Sequence, residues 1–316
     1  MYRINVFGNW PFALVLKLFI FAFTFCLGTN RVDASAEQQH FATPEQAVQS
    51  LLESIKTDNV EAMLALFGEK HKEKLFSGDA VEDKNNRQQF ATAAAISQRI
   101  EKQGQNRAIL IVGSEDFIFP IPLVKENNNW HFDTKAGIDE ILNRRIGRNE
   151  LNAINVLKAY LEAQFDYASV DRDFDDVLEY AQKIRSSPNQ HDGLFWDVDA
   201  SGEISPLGPF FAAARAESNF ATDNDVPQPY HGYYYKLLTK QGCGAVGGQY
   251  DYVINGNMIA GFALVAFPAK YGSSGIMSFI INHQGKIYEK DLGSNTAILV
   301  KNIKEFTPVG WEPVEN

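Results

Sequence analysis

Twice along this chain the apolar residues recur first at helical spacing and then in the alternation of strands. A helix hides a stripe repeating about every 3.6 residues, whereas a strand with one wet face hides every second residue. Helices followed by strands in sequence blocks, without a βαβ alternation, restrict the fold to the α+β class. The first block opens at Thr43-Pro44-Glu45-Gln46, a capping box with proline at the first helical position, and continues with Ala47, Leu51, Leu52 and Ile55 on one face. Asp58 to Glu61 repeats the cap ahead of a short helix carrying Met63, Leu64 and Leu66. A longer helix is expected over Val81 to Gln103, with Phe90, Ala94 and Ile100 inward. Strands follow at Arg107 to Val112, Phe117 to Val124 and Trp130 to Phe132, the last two joined by Asn127-Asn128-Asn129.

The second block begins after a junction expected at Leu142 to Gly147. A helix over Arg148 to Ala168 places Leu151, Ile154, Leu157, Leu161 and Phe165 on one stripe. Asp171 to Pro229 reads as loop with short helices near Val177 to Ile184 and Phe210 to Ser218. Strands are expected at Tyr230 to Leu238, Tyr250 to Ile254, Met258 to Phe267, Ile276 to Asn282 and Lys286 to Asp291, and a closing helix from Ser294. Asn255-Gly256 is the strongest hairpin signal, because both residues tolerate the positive φ that a tight turn demands. The expected organisation is a leader at 1–36, an α+β domain at 37–147 and a second α+β domain at 148–316.

The leader has the three parts of a secretory signal: Arg3 and Lys17 early, an apolar run from Leu18 to Gly28, and Ala34-Ser35-Ala36 in small-x-small form. Cleavage is expected after Ala36 and places the protein in the periplasm or outside the cell. The run is shorter than the roughly 20 residues a helix needs to cross a bilayer, so no stable membrane span is expected once the leader is gone. The residues before Cys26 are not those of a lipoprotein signal. Cleavage leaves Cys243 alone, which excludes an intramolecular disulfide and puts stability on the core. The whole chain carries 29 basic and 39 acidic residues, a net charge of −10; cleavage removes three of the former and one of the latter and raises the acidity to −12. A surface of that sign does not attract nucleic acid or anionic lipid.

Helices, a turn at Thr57-Asp58 and strands ending at a tryptophan hairpin make the stretch Phe41 to Asp133 similar to the cone-shaped fold of nuclear transport factor two and its bacterial relatives. That resemblance implies a curved sheet wrapped around helices with a pocket inside. Ala159 to Gln164, Tyr167 and the hairpin Gly275 to Gly285 give the second half the layout of pilin and pseudopilin globular domains, a long helix on an antiparallel meander. The apolar N-terminal half of the pilin helix is missing, so assembly by the pilin route is not implied. The segments Phe119 to Lys125, Ile141 to Glu150, Pro229 to Tyr234 and Asp251 to Gly256 resemble a bacterial exported family known as domain of unknown function 2950. That family brings no activity with it.

Three constellations are candidate sites. Arg144, Arg145 and Arg148 concentrate positive charge in an acidic chain, and arginine forks suit carboxylate or phosphate. The competing use is ion pairing where two helices meet. Tyr230, His231 and Tyr233 form an aromatic cluster at a strand start, readable as a stacking surface for a ligand or as half-buried packing, the reading favoured here. Asp171, Asp173 and Asp175 with Glu179 resemble an alternating-aspartate calcium loop. Asp176 stands where that loop has glycine, and Gln182 where it has glutamate, which favours aspartates that cap a helix at Val177. The glycines at 242, 244 and 247 match a dinucleotide fingerprint only by letter, since no helix is expected after them. The six histidines are scattered, and neither a zinc-protease helix motif nor a nucleophile elbow is present.

These features point to a non-enzymatic envelope protein that binds an unidentified envelope protein or a small molecule, with no cofactor unless calcium fills the aspartate loop. The alternatives are a hydrolase or other enzyme with a site between the two halves, and a small-molecule binder using the pocket of the first half.

Overall fold

The computed structural model describes residues 38–172, 175–197, 202–208 and 229–315. The leader at 1–36, Asp173 and the helix expected near Phe210 to Ser218 lie outside the described residues.

The first helices start where their caps are. In α1 (Pro44–Lys56) the Thr43 side chain accepts from the Gln46 N–H, and Ala47, Val48, Leu51 and Ile55 are buried. α2 (Val60–Phe67) is capped by Asn59, whose Oδ1 accepts from the Ala62 N–H at 2.9 Å, while Asp58 takes the left-handed turn before it. A 3-10 turn, Glu69–His71, leads into the single-turn helix α3 (Lys72–Leu75). α4 (Ala80–Ile96) starts at Asp79, which accepts from the N–H groups of Val81 and Glu82. The helix expected to reach Gln103 stops at Ile96. Gln98–Lys102 is strand β1, antiparallel to β2 (Arg107–Val112). An apolar neighbour able to complete a ladder outweighs the local helical preference of residues 98–102.

β3 (Phe117–Ile118) pairs with the end of β2, and β4 (Leu123–Glu126) with its start. The single strand expected over Phe117 to Val124 is therefore two, interrupted where Pro120 and Pro122 lack a ladder N–H. Asn127 and Asn128, both at positive φ, turn β4 into β5 (Asn129–Phe132). Sheet order is β1-β2-β4-β5 with β3 beside β2. α1, α2, α4 and this sheet close over a first core that includes Leu51, Met63, Phe67, Leu110, Leu123 and Phe132.

α5 (Thr134–Tyr167) is one continuous helix capped by Asp133. Residues 142–147, expected as a junction, are helical. Nothing there forbids a helix, since one internal glycine costs only about 1 kcal/mol, and burial of Ile138, Arg145 and Ile146 favours continuity. Beyond it, residues 177–184 are not the expected short helix. Their backbone groups are taken by other segments: the Ala181 N–H donates to Gln164 Oε1, Tyr180 N–H to the Met258 carbonyl, and Phe195 N–H to the Ile184 carbonyl.

The second half is a meander: β6 (Tyr233–Leu238), β7 (Lys240–Gln241), β8 (Tyr250–Asp251), β9 (Val253–Ile254), β10 (Asn257–Met258), β11 (Ala263–Pro268), β12 (Met277–Asn282), β13 (Tyr288–Asp291), helix α6 (Thr296–Asn302) and β14 (Glu312–Pro313). Asn255 and Gly256, at φ 54° and 100°, make the β9–β10 turn as the dipeptide predicts. The main sheet runs β14-β13-β12-β11-β6, antiparallel throughout. β11 buries Ala263, Leu264, Val265 and Ala266 in succession, so both faces of the sheet centre are covered. α5 packs on β11 and β12, burying Leu157 and Tyr160 in a second core with Phe262, Phe279 and Ile281. The protein is thus α+β.

Candidate functional site

α4 faces the first sheet with the small residues Ala93 and Ala94, and only Ala94 on the helix is fully buried. Small side chains there leave the space between α1, α2, α4 and the sheet unfilled. The result is a cavity of about 560 Å³, well within the roughly 300–1,000 Å³ of small-molecule sites. Leu51, Ile55, Met63, Phe67, Phe90 and Phe119 line it. Phe90 meets Phe119 at 5.3 Å between ring centroids, and Phe67 meets Phe132 edge-on at 5.2 Å, fixing an aromatic wall. Ile96 and Phe117 also line it and remain 68% and 45% exposed, so apolar surface continues to the outside.

The opposite side is basic. α5 brings Arg144, Arg145 and Arg148 to the cavity, and α4 adds Arg87. Arg144 donates from Nε to Glu140 at 2.6 Å and from Nη1 to the Ile118 carbonyl, with its guanidinium over the Phe117 ring. Arg148 pairs with Glu82 at 2.8 Å, and Arg87 with Asp58 at 2.7 Å. Arg145 differs. It is 7% exposed, and its Nη2 donates to the carbonyls of Lys74 (3.1 Å) and Leu75 (3.0 Å) at the end of α3. Burial pushes its pKa down, opposed by the nearby charges of Asp83 and Glu82. Burial likewise pushes the Glu82 carboxyl up, opposed first by Arg148. Ion pairing therefore accounts for Arg144 and Arg148, whereas Arg145 is a buried cation held by backbone carbonyls.

Tyr230, His231 and Tyr233 do not line this cavity. Tyr230 and Tyr233 are buried, and the Tyr233 hydroxyl donates to the Met277 carbonyl at 2.8 Å, beneath Gly275. Burial and the charges of Glu150 and Glu289 hold that phenol far above its ordinary pKa. Tyr233 thus has no open face for stacking; neighbouring strands use it as packing. His231 sits in a left-handed turn with its ring 4.1 Å from that of Tyr230.

The carboxylates of the acidic loop address backbone and amide groups. Asp171 accepts from the Asp176 N–H, Asp175 from the Val177 N–H and the Asn257 side chain, and Glu179 from the Met258 N–H. No helix begins at Val177 for them to cap. Asp176 supplies the positive φ, 65°, that a glycine would otherwise give. Among the described residues no group of three or more His, Cys, Asp or Glu is arranged to hold a metal ion, and Asp173 is not one of those residues. Cys243 is exposed in the glycine loop, and that loop leads into β8, without a helix to receive a pyrophosphate.

The arginine cluster was legible in the sequence, but the wall it faces was not. Ala91-Thr92-Ala93-Ala94-Ala95 on a helix whose apolar residues are too small to fill a core, followed by three phenylalanines at 117, 119 and 132, is the signal that could have located it. The described residues around the cavity lie between Leu51 and Arg148, and all but Arg148 fall in the domain expected at 37–147.

Comparison with curated proteins and with solved structures finds no match. The family described as Protein of unknown function (DUF2950) matches residues 38–314, which take in both cores, the cavity and the arginines around it, and the chain belongs to that family.

Proposed function

We propose that this protein is exported to the cell envelope, periplasmic or secreted, and acts there without catalysis by holding a small, largely apolar molecule in the cavity of its first half. The cavity carries the reading: an aromatic and aliphatic wall joined to a few polar groups is the usual make-up of a ligand site. Among the described residues its lining contains no histidine or cysteine, and Asp83 in that lining takes the Ser77 N–H with both oxygens, at 3.0 and 3.2 Å. The described lining thus offers no thiol or imidazole, and its Asp83 is engaged, which supports binding over nucleophilic catalysis. The leader at 1–36 supports export. Among the described residues no helix is long and apolar enough to cross a membrane.

The test is binding of N-phenyl-1-naphthylamine, an uncharged apolar dye that brightens when desolvated, to protein recovered from the envelope or secreted fraction and starting at Glu37. Saturable binding is expected. Ala93→Phe puts a ring into the cavity and should weaken the dye about tenfold, or about 1.4 kcal/mol. A wild-type protein that leaves the dye dark, or dye binding indifferent to Ala93→Phe, overturns the cavity as the site; a chain recovered from the cytosol with Met1 overturns export.

A further inference from the structure

The cavity has an apolar side and a basic side, and the two sides differ in how their polar atoms are used. Arg144, Arg148 and Arg87 each have a carboxylate in ion-pair contact. Arg145 has none among the described residues. A guanidinium has five N–H donors. Among the described residues only the Nη2 group is engaged, by the carbonyls of Lys74 and Leu75, and the donors on Nε and Nη1 have no acceptor. Neither of those nitrogens is sealed inside the protein, and Arg145 is among the residues that line the cavity. A cation at 7% exposure with an incomplete set of acceptors is costly to maintain unless something supplies the missing charge. Asp83 and Glu82 moderate that cost through space but do not touch the fork.

We infer that the ligand is an amphiphile with one anionic head, a carboxylate or a phosphate, whose head accepts from Nε and Nη1 of Arg145 and whose apolar tail lies along Phe67, Phe90 and Phe119. This rests on the cavity being the binding site and adds the chemical class of what fills it. Planar, two-donor recognition of an oxyanion is what a guanidinium does and an ammonium does not. Three of the four lining arginines have their charge met by Glu140, Glu82 and Asp58, which leaves Arg145 as the guanidinium without a carboxylate in contact among the described residues. Ile96 and Phe117 extend the apolar wall to the outside and offer the tail a continuous path.

The experiment displaces bound N-phenyl-1-naphthylamine from the full mature chain with four probes named by their heads on alkyl tails of nine or ten carbons: decanoate, decyl phosphate, decanol and decyltrimethylammonium. The anions are expected to compete at least about tenfold better than the alcohol, and the cation worst of all. Decanoate against decyl phosphate then separates a carboxylate from a phosphate head. Arg145→Met, which keeps an unbranched apolar stem and removes the charged fork, should bring the anions to the level of decanol. Arg145→Lys should restore only part of the preference. If the dye binds but the four probes compete equally, the anionic head is wrong while the apolar site stands. If the dye does not bind, the site itself fails. Should Arg145→Met not fold, the ranking of the probes on the wild-type chain still decides. An anion preference that survives intact in folded Arg145→Met overturns the role of this residue.

Discussion

At the scale of single residues, the groups that tie the molecule together are polar side chains placed against backbone. Glu150 on α5 accepts from the N–H groups of Ile276 and Met277, and Asn149 beside it donates to the Ser274 carbonyl. Gln164 donates to the Ala181 carbonyl and accepts from its N–H. Nothing in the sequence distinguishes these from other polar residues on a helix, because their partners lie far along the chain. His283 shows the same dependence on context. Burial against Tyr252 and Phe262 pushes its pKa down, the Phe262 carbonyl partly opposing, and Nδ1 has no hydrogen-bond partner. Because its folded pKa lies below the unfolded value of about 6.5, the neutral ring stabilises the fold in full above that value, and this contribution is lost as pH falls through the folded pKa. Urea denaturation below about pH 6 should therefore show stability declining faster in the wild type than in His283→Phe, which does not titrate. Parallel pH profiles for the two would show that His283 carries none of the dependence.

At the scale of elements, α5 contains two glycines that should respond oppositely to the same change. Alanine is favoured over glycine in a helix by about 1 kcal/mol. At Gly147 a Cβ would meet nothing within 4 Å, so Gly147→Ala should gain about that amount in a denaturation experiment. At Gly137 a Cβ would lie 2.7 Å from Ile121 Cγ1 and 2.8 Å from Ile121 Cα, and backbone cannot move aside as a side chain can. Gly137→Ala should cost about 1–3 kcal/mol despite its better propensity, by overpacking the crossing of α5 on the β3–β4 connection. A stabilised Gly137→Ala would show that this crossing is looser than those distances imply. Element legibility divided along the same line. The cap of α1, the Asn127-Asn128 and Asn255-Gly256 turns, β2 and α6 could be read from neighbouring residues because their determinants are local. β1, the broken strand at Pro120 and the loop at 177–184 could not, because each is decided by which segment offers a partner for its backbone.

At the scale of the molecule, α5 is the part shared by both cores. Ile141 packs against the first, Leu157 and Tyr160 lie within the second, and the helix between them is unbroken. Losing either core strips one face of the same helix, and isolated helices are weak in water. Scanning calorimetry is therefore expected to show one transition with matching calorimetric and van't Hoff enthalpies, and two resolved transitions would mean that α5 does not transmit the loss. The amino-acid order alone determined the α+β class, the main helices and hairpins and the clustering of three arginines, since periodicity, caps and turn dipeptides act over a few positions. Only the tertiary structure decided that 142–147 joins two helical stretches into one, that Tyr233 is packing, and that Arg145 faces an apolar cavity with part of its fork unused. Those are long-range outcomes: they depend on which surfaces exclude water together, and on volume left over when small residues on one element meet large ones on another.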